Sequence, residues 1–328
     1  MRLTAKLSIL LLGFILSACA PHIEGTGPHS HVPDIIGDHF KTIDGLRLPL
    51  RRWETLNPPK AVILGVHGFN DYGNFLTPNF PKILQNNDIL LITYDQRGFG
   101  RNENIGLWPG TDTLVNDLAH LIHLVHAKYE NIPFFVMGES MGGAVAMTTL
   151  ARIKPLPVDG LILSAPAVWG PSTWPWYQKA MLYATSYSFP WLKLSGGGVV
   201  QPTDHMENWK NWSNDPLVIR ETRVDALWGV SWLMDEAQTA APNLDVPSLV
   251  LYGEKDEVIP WKATATMVSK LDQKHRIALY AEGWHWLSRD HNGPVVWKDI
   301  IAWISDQKAA LPSGSDIGAR EKLKSHQP

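Results

Sequence analysis

A single cysteine among 328 residues leaves no partner for an intrachain disulfide. Lys and Arg number 29 against 32 Asp and Glu, so the formal net charge is −3. No basic excess is present to neutralise phosphates, which argues against nucleic-acid binding. No internal repeat is visible, and no Cys, His and carboxylate cluster has metal-ligand spacing. His120, His123 and His126 recur every third residue, but without carboxylates or cysteines beside them they read as a polar helix face. Neither a metal nor an organic cofactor is called for. What is plentiful is apolar mass: 45% of residues are hydrophobic and 19% charged, and 15 are Trp. That is enough for a sizeable core and excludes disorder throughout.

The N-terminus reads as a targeting segment. Arg2 and Lys6 precede an apolar stretch, Leu7 to Leu16, that is too short to span a bilayer comfortably. It ends in Leu16-Ser17-Ala18-Cys19, which resembles the lipobox of bacterial lipoproteins. The resemblance implies a signal peptide over 1–18 and a lipidated Cys19 as mature N-terminus, holding the domain on a membrane surface without a spanning helix. Ala20 rather than Asp follows the cysteine; in lipoproteins like those of enteric bacteria this implies the outer membrane, facing the periplasm. Residues 19–38, rich in Pro, Gly and His, read as a tether, with His22, His29 and His31 solvated. Residues 309–328 read as a frayed polar tail.

Between these ends, short apolar runs alternate with helical patterns. Ala61–His67, Ile89–Tyr94, Pro133–Gly138, Gly160–Ser164, Pro247–Tyr252 and Arg276–Tyr280 read as buried strands. Thr111–Tyr129 reads as a helix with Leu114, Leu118, Leu121 and Val125 on one face. Further helices are expected over Met141–Ile153, Trp261–Leu271 and Pro294–Asp306. The alternation predicts an α/β fold: a mostly parallel sheet with helices on both faces and ligands beyond the C-terminal strand ends. One segment, 167–241, breaks it. It has few strand signals, a flexible Ser195-Gly196-Gly197-Gly198 stretch and eight of the Trp, and reads as a helical cap. The core is then split into 39–166 and 242–308.

The strongest chemical signal is Gly138-Glu139-Ser140-Met141-Gly142, a G-x-S-x-G between an apolar strand and an Ala-rich helix. Such a turn leaves no space for side chains at Gly138 and Gly142 and presents Ser140 at a helix N-terminus, where negative charge is favoured. A serine hydroxyl is a weak nucleophile and needs a base and a group that orients the base. His285, in a loop after the last apolar strand, is placed to reach back over the strand ends; His291 is its nearest rival. Asp256 follows another strand end, with Glu254 and Glu257 as alternatives. His67-Gly68-Phe69 follows the first strand, so the N–H groups of Phe69 and Met141 are the expected oxyanion donors. His67 is expected to be structural, packed under this loop.

From about Phe40 to Gln307 the chain resembles the α/β-hydrolase superfamily. Within it, the chain is similar to the monoacylglycerol lipase and lysophospholipase group, often labelled serine aminopeptidase S33-like. The resemblance rests on His67-Gly68-Phe69, Asp95-Gln96-Arg97-Gly98-Phe99-Gly100-Arg101, Gly138-Glu139-Ser140-Met141-Gly142-Gly143, Gly253-Glu254-Lys255-Asp256 and Gly283-Trp284-His285. It implies Ser140 as nucleophile, Asp256 as acid, His285 as base, and Phe69 and Met141 as oxyanion donors. The resemblance carries no cap motif over; the Trp-rich cap together with a lipid anchor suggests an amphipathic ester substrate such as a monoacylglycerol or lysophospholipid. Asp95 to Gly100 is expected to be a scaffold turn whose charges pair locally. Asn102 stands where members of the family often carry Ser, with no mechanistic consequence expected. Three other readings stay open. A hydrolase of small esters or thioesters would share the fold. A peptidase would need an anionic pocket for the substrate amine, from Glu207, Asp215 or Glu236. A non-catalytic envelope lipoprotein would leave the serine inert.

Overall fold

A computed structural model describes residues 20–77, 79–196 and 200–325. The expected signal peptide and Cys19 lie outside the described residues, as do Gly197 and Gly198 of the glycine stretch.

The chain begins with β1 (Asp34–Ile36), β2 (His39–Lys41), β3 (Arg47–Trp53) and β4 (Ala61–Val66), followed by α1 (Asn79–Asn86), β5 (Ile89–Tyr94) and α2 (Thr111–Lys128). Then come β6 (Phe134–Glu139), α3 (Met141–Arg152) and β7 (Gly160–Ser164). The cap holds α4 (Trp176–Ser188), β8 (Lys193–Ser195), α5 (Met206–Asn214), β9 (Glu221–Arg223) and α6 (Val224–Ala240). The core resumes with β10 (Ser248–Gly253), α7 (Trp261–Ser269), β11 (Arg276–Tyr280), α8 (Gly293–Ser305) and α9 (Ala319–Ser325).

The main sheet runs β1-β2-β3-β5-β4-β6-β7-β10-β11. From β5 to β11 every pairing is parallel, while β1, β2 and β3 join antiparallel. The two-residue period of each strand sorts its side chains between two cores. Val62, Leu64 and Val66 of β4 face one side with Leu114, Leu118 and Val145. Ala61 and Ile63 face the other with Phe80, Trp297 and Trp303. Each such fully buried Leu, Ile or Phe contributes about 1.5–3 kcal/mol. That two-sided burial explains why the central strands read as unbroken apolar runs.

Four expectations need correction. The tether range is not free: β1 pairs with β2, the Glu24 N–H donates to the Trp108 carbonyl and the Gly27 N–H to Asp44. The polar tail is not frayed: α9 packs on α7 and β11, with Leu323 buried and the Arg320 guanidinium donating to the carbonyls of Val268, Leu271, Asp272 and His275. The cap is not wholly helical, since β8 and β9 form an antiparallel pair. Finally, the charges of the Asp95 turn pair over long range. Arg51 on β3 donates to Asp95, and Arg97 bridges Asp44 and Asp117. These pairs hold the turn against β3, the loop after β2, and α2. In each case short or charged segments carried too little apolar period to be read as packed.

Candidate active site

Ser140 sits on the bend between β6 and α3, with φ 53° and ψ −118°. A side chain in that conformation costs about 1–3 kcal/mol and persists only where the surroundings impose it. Here a Cβ on Gly138 would lie 2.5 Å from the Gly142 carbonyl oxygen, and one on Gly142 only 2.0 Å from that of Val66. The two glycines let helix, bend and β4 approach closely, as expected. The bend is pinned by the Ser140 N–H donating to the Ser164 carbonyl at 3.0 Å and the Ala167 N–H donating to the Ser140 carbonyl at 2.9 Å.

His285 and Asp256 are brought to this bend from distant parts of the chain. The end of β10 touches the loop after β11: the Lys255 N–H donates to Gly283, and a Cβ on Gly253 would lie 2.4 Å from the Gly283 carbonyl. His285 is 3% exposed. Its Nε2 lies 3.0 Å from Ser140 Oγ and its Nδ1 2.9 Å from Asp256 Oδ2. The other carboxylate oxygen, Oδ1, accepts the N–H groups of Val258 and Ile259 at 2.8 and 3.0 Å. Asp256 is therefore fixed as an acceptor, which places the imidazole proton on Nδ1 and leaves Nε2 to accept from the Ser140 hydroxyl. Burial pushes the imidazole down, but the charge and hydrogen bond of Asp256 and the charge of Glu139 together lift it above its ordinary value, Arg289 opposing. The hydroxyl can thus pass its proton to Nε2, with Asp256 offsetting the charge that appears on the ring.

The rival residues are engaged elsewhere. His291 stacks on His205 at 4.4 Å between centroids, Glu254 pairs with Lys322, and Glu257 accepts the Gln201 N–H. His67 is fully buried: Nδ1 donates to the Gly68 carbonyl at 2.8 Å and Nε2 accepts the Gln96 N–H at 2.9 Å. Burial lowers its pKa, so it is a neutral strut beneath the loop, as its expected structural part requires. Gly68 lies against Ser140, where an added Cβ would be 3.4 Å from the serine Cβ. Phe69 follows at once, and Met141 opens α3, where a helix leaves its first N–H groups without intrahelical partners. Asn102 donates to the carbonyls of Gln96 and Phe99 at 2.9 and 2.5 Å, tying the Asp95 turn together.

Two carboxylates of the peptidase reading are also committed: Asp215 accepts the Tyr72 hydroxyl at 2.7 Å, and Glu236 pairs with Arg152. Among the described residues, no group of three or more His, Cys, Asp or Glu could hold a metal ion. Nor is any described helix long and apolar enough to cross a membrane.

Sequence reasoning missed one buried cluster. Glu139, read only as the spacer of the motif, is fully buried and bonded by Arg289, which also donates to Asp71 at 2.9 Å. An acidic residue ending an otherwise apolar strand was the signal available.

The profile of the family described as serine aminopeptidase, S33, matches residues 57–292. The chain is 25% identical to the human monoglyceride lipase, with 84% of this chain and 93% of that protein covered. It is 24% identical to the monoacylglycerol lipase of Mycolicibacterium smegmatis, covering 81% of this chain and 95% of that one. Among solved structures, a soluble variant of the Saccharomyces cerevisiae monoglyceride lipase superposes with a TM-score of 0.70 at 20% identity, covering 86% of this chain and 98% of that one. The Paleococcus ferrophilus monoacylglycerol lipase gives 0.64 at 21%, covering 78% and 98%. These likenesses bear out the expected α/β-hydrolase fold.

Proposed function

The chain belongs to the serine aminopeptidase S33 family of hydrolases, and from that premise we propose that it is a carboxylic ester hydrolase acting on monoacylglycerols or lysophospholipids through Ser140, His285 and Asp256. The observation that carries the proposal is the continuous chain from Ser140 Oγ through the imidazole to the Asp256 carboxylate, with contacts of 3.0 and 2.9 Å. In this reading His285 takes the hydroxyl proton as Ser140 attacks the ester carbonyl. The Phe69 and Met141 N–H groups receive the oxyanion, and removal of one such donor typically costs on the order of 10²–10³ in turnover. His285 then protonates the departing alcohol, and water resolves the acyl-enzyme by the same steps in reverse order.

The substrate class is supported by the names of the relatives, monoglyceride lipases at about a quarter identity, and by the cap. An aromatic-rich cover suits a molecule that is apolar at one end and wet at the other. Membrane attachment through a lipidated Cys19, in the outer membrane facing the periplasm, is part of the same proposal. Incorporation of labelled palmitate into the wild type but not into Cys19→Ser, followed by membrane fractionation, tests it.

For the chemistry, Ser140→Ala is expected to keep its fold and lose hydrolysis of monoacylglycerol and p-nitrophenyl esters. A fluorophosphonate should label the wild type on Ser140 and leave the variant unlabelled. Full activity in Ser140→Ala would end the proposal, and preference for aminoacyl-naphthylamides over esters would turn it towards a peptidase.

A further inference from the structure

Arg289 lies four residues beyond His285 in the same loop and is 5% exposed. One end of its guanidinium reaches Asp71, in the turn after β4 that carries Phe69; the other reaches Glu139, the residue before Ser140. Its face lies 3.9 Å from the centre of the Trp286 ring, the neighbour of His285. Ser288 Oγ stands 3.5 Å from the second oxygen of Glu139. One side chain therefore joins the three turns that bear the base, the hydroxyl and an expected oxyanion donor. One guanidinium also serves two carboxyl groups, so Arg289 does not belong to Glu139 alone, and all three side chains are buried.

We propose that Glu139 and Arg289 are positioning residues of the Ser140 site. Arg289 bolts the His285 loop to the strand end that carries Ser140, and the Glu139 carboxylate directs a second negative charge, after that of Asp256, at the imidazole. The inference rests on the proposed catalytic reading and adds a residue pair that sets the pH at which the site works. The charges around His285 are Asp256 from the loop after β10, Glu139 from the end of β6 and Arg289 from its own loop, with Asp71 joined through Arg289 and Asp290, also of its own loop, held by the Trp284 N–H and Thr203. From the cap, Asp204 accepts the His291 N–H and His205 stacks on the His291 ring. Burial, with the charge of Asp71, holds the Glu139 carboxyl above its ordinary value although Arg289 and His285 draw it part of the way back; the ionised form, in contact with the guanidinium, is the one the device requires.

Removing the Glu139 charge lowers the affinity of His285 for its proton. The neutral imidazole then survives to lower pH, so the acid limb of the profile moves down, while the ring cation formed during attack loses support. Glu139→Gln should shift the acid limb of kcat/KM, and of fluorophosphonate labelling of Ser140, downward by roughly one pH unit. It should also lower plateau kcat about tenfold with KM unchanged. A ¹⁵N NMR titration of the His285 ring should show the same downward displacement whether or not ester turnover is detected. Glu139→Asp keeps the charge but shortens the arm, so its acid limb should stay with the wild type while kcat falls; it carries the test should Glu139→Gln fail to fold. A folded Glu139→Gln with an unmoved ring titration, or a Glu139→Asp profile displaced downward, overturns the inference. If the wild type itself neither hydrolyses esters nor reacts with the fluorophosphonate, the proposed function fails, and the ring titration still decides the role of Glu139.

Discussion

The turns at the strand ends and the cap above them are built on opposite plans. In the turns, charges are buried and paired at fixed angles: Arg97 with Asp44 and Asp117, Arg51 with Asp95, Arg289 with Asp71 and Glu139. In the cap, rings meet largely edge to face, as Tyr183 does with Trp228 at 4.4 Å, and much apolar surface stays in water. Trp176 is 80% exposed and Met181 64%. Buried ion pairs demand exact partners and are costly to break, whereas aromatic edges tolerate sliding. The difference teaches where each task resides: geometry that must hold to a few tenths of an ångström is below, and adaptable contact is above. The seam between them is hydrogen-bonded on both sides of the site. Ile219 donates to the Asn70 carbonyl and Asn70 to Thr222, while Trp286 donates to Pro202 and Thr203 to Asp290.

This contrast can be broken from below with the largest effects. His285→Ala should reduce kcat on a short-chain ester by at least about 10⁴-fold, as measured by steady-state kinetics, with circular dichroism showing that the variant is folded at the assay temperature. A loss of less than tenfold would remove the imidazole from the chemistry. Gly142→Ala drives a methyl into the Val66 carbonyl and should destabilise the fold by at least about 3 kcal/mol in urea denaturation. A neutral result would show that the bend can relax away from β4.

A subtler break lies at the seam. Asp290 is 4% exposed and accepts Thr203 Oγ1 and the Trp284 N–H, yet burial pushes its carboxyl up to about 6. A carboxyl raised on folding contributes stability that is fully present below its unfolded pKa of about 4. That contribution is lost as the pH rises through the folded value. Asp290→Asn removes this dependence. Its stability relative to the wild type should therefore climb between about pH 4 and 7 and level off near 3 kcal/mol at most. Melting curves of both proteins across this range check it; curves that stay parallel would place the titration elsewhere. The smallest effect is expected above: Trp176→Ser or Met181→Ser should change stability by no more than about 0.5 kcal/mol. Hydrolysis of soluble esters should be untouched, while turnover of aggregated long-chain monoacylglycerol falls. Equal loss on both substrates would mean that the cap is as rigidly coupled to the site as the turns are.

What the chain announced in advance follows the same division. The central strands were legible because burial on both faces makes them continuous apolar runs, and α2 because its leucines keep helical spacing. Ser140, His285 and Asp256 could be picked out because each follows a strand end, the place where such sheets present their chemistry. The three-residue strands β1 and β2 are too short to display a period, and β3 is masked by its arginines. The clamp of Arg289 was invisible for another reason. Its partners lie 150 and 218 positions away, and neither distance leaves a local trace. Helix α9 hid behind its polarity, since it docks through Leu323 and through carbonyls that Arg320 satisfies.

The left-handed backbone at residue 140 has a practical corollary for anyone improving this molecule. Glycine would adopt the same φ of 53° at ease, so Ser140→Gly should fold more readily and, on the proposed reading, lose ester hydrolysis. A laboratory selection that rewards heat resistance alone would drift towards inert variants at that position, and only a screen that scores turnover at the same time would keep the hydroxyl.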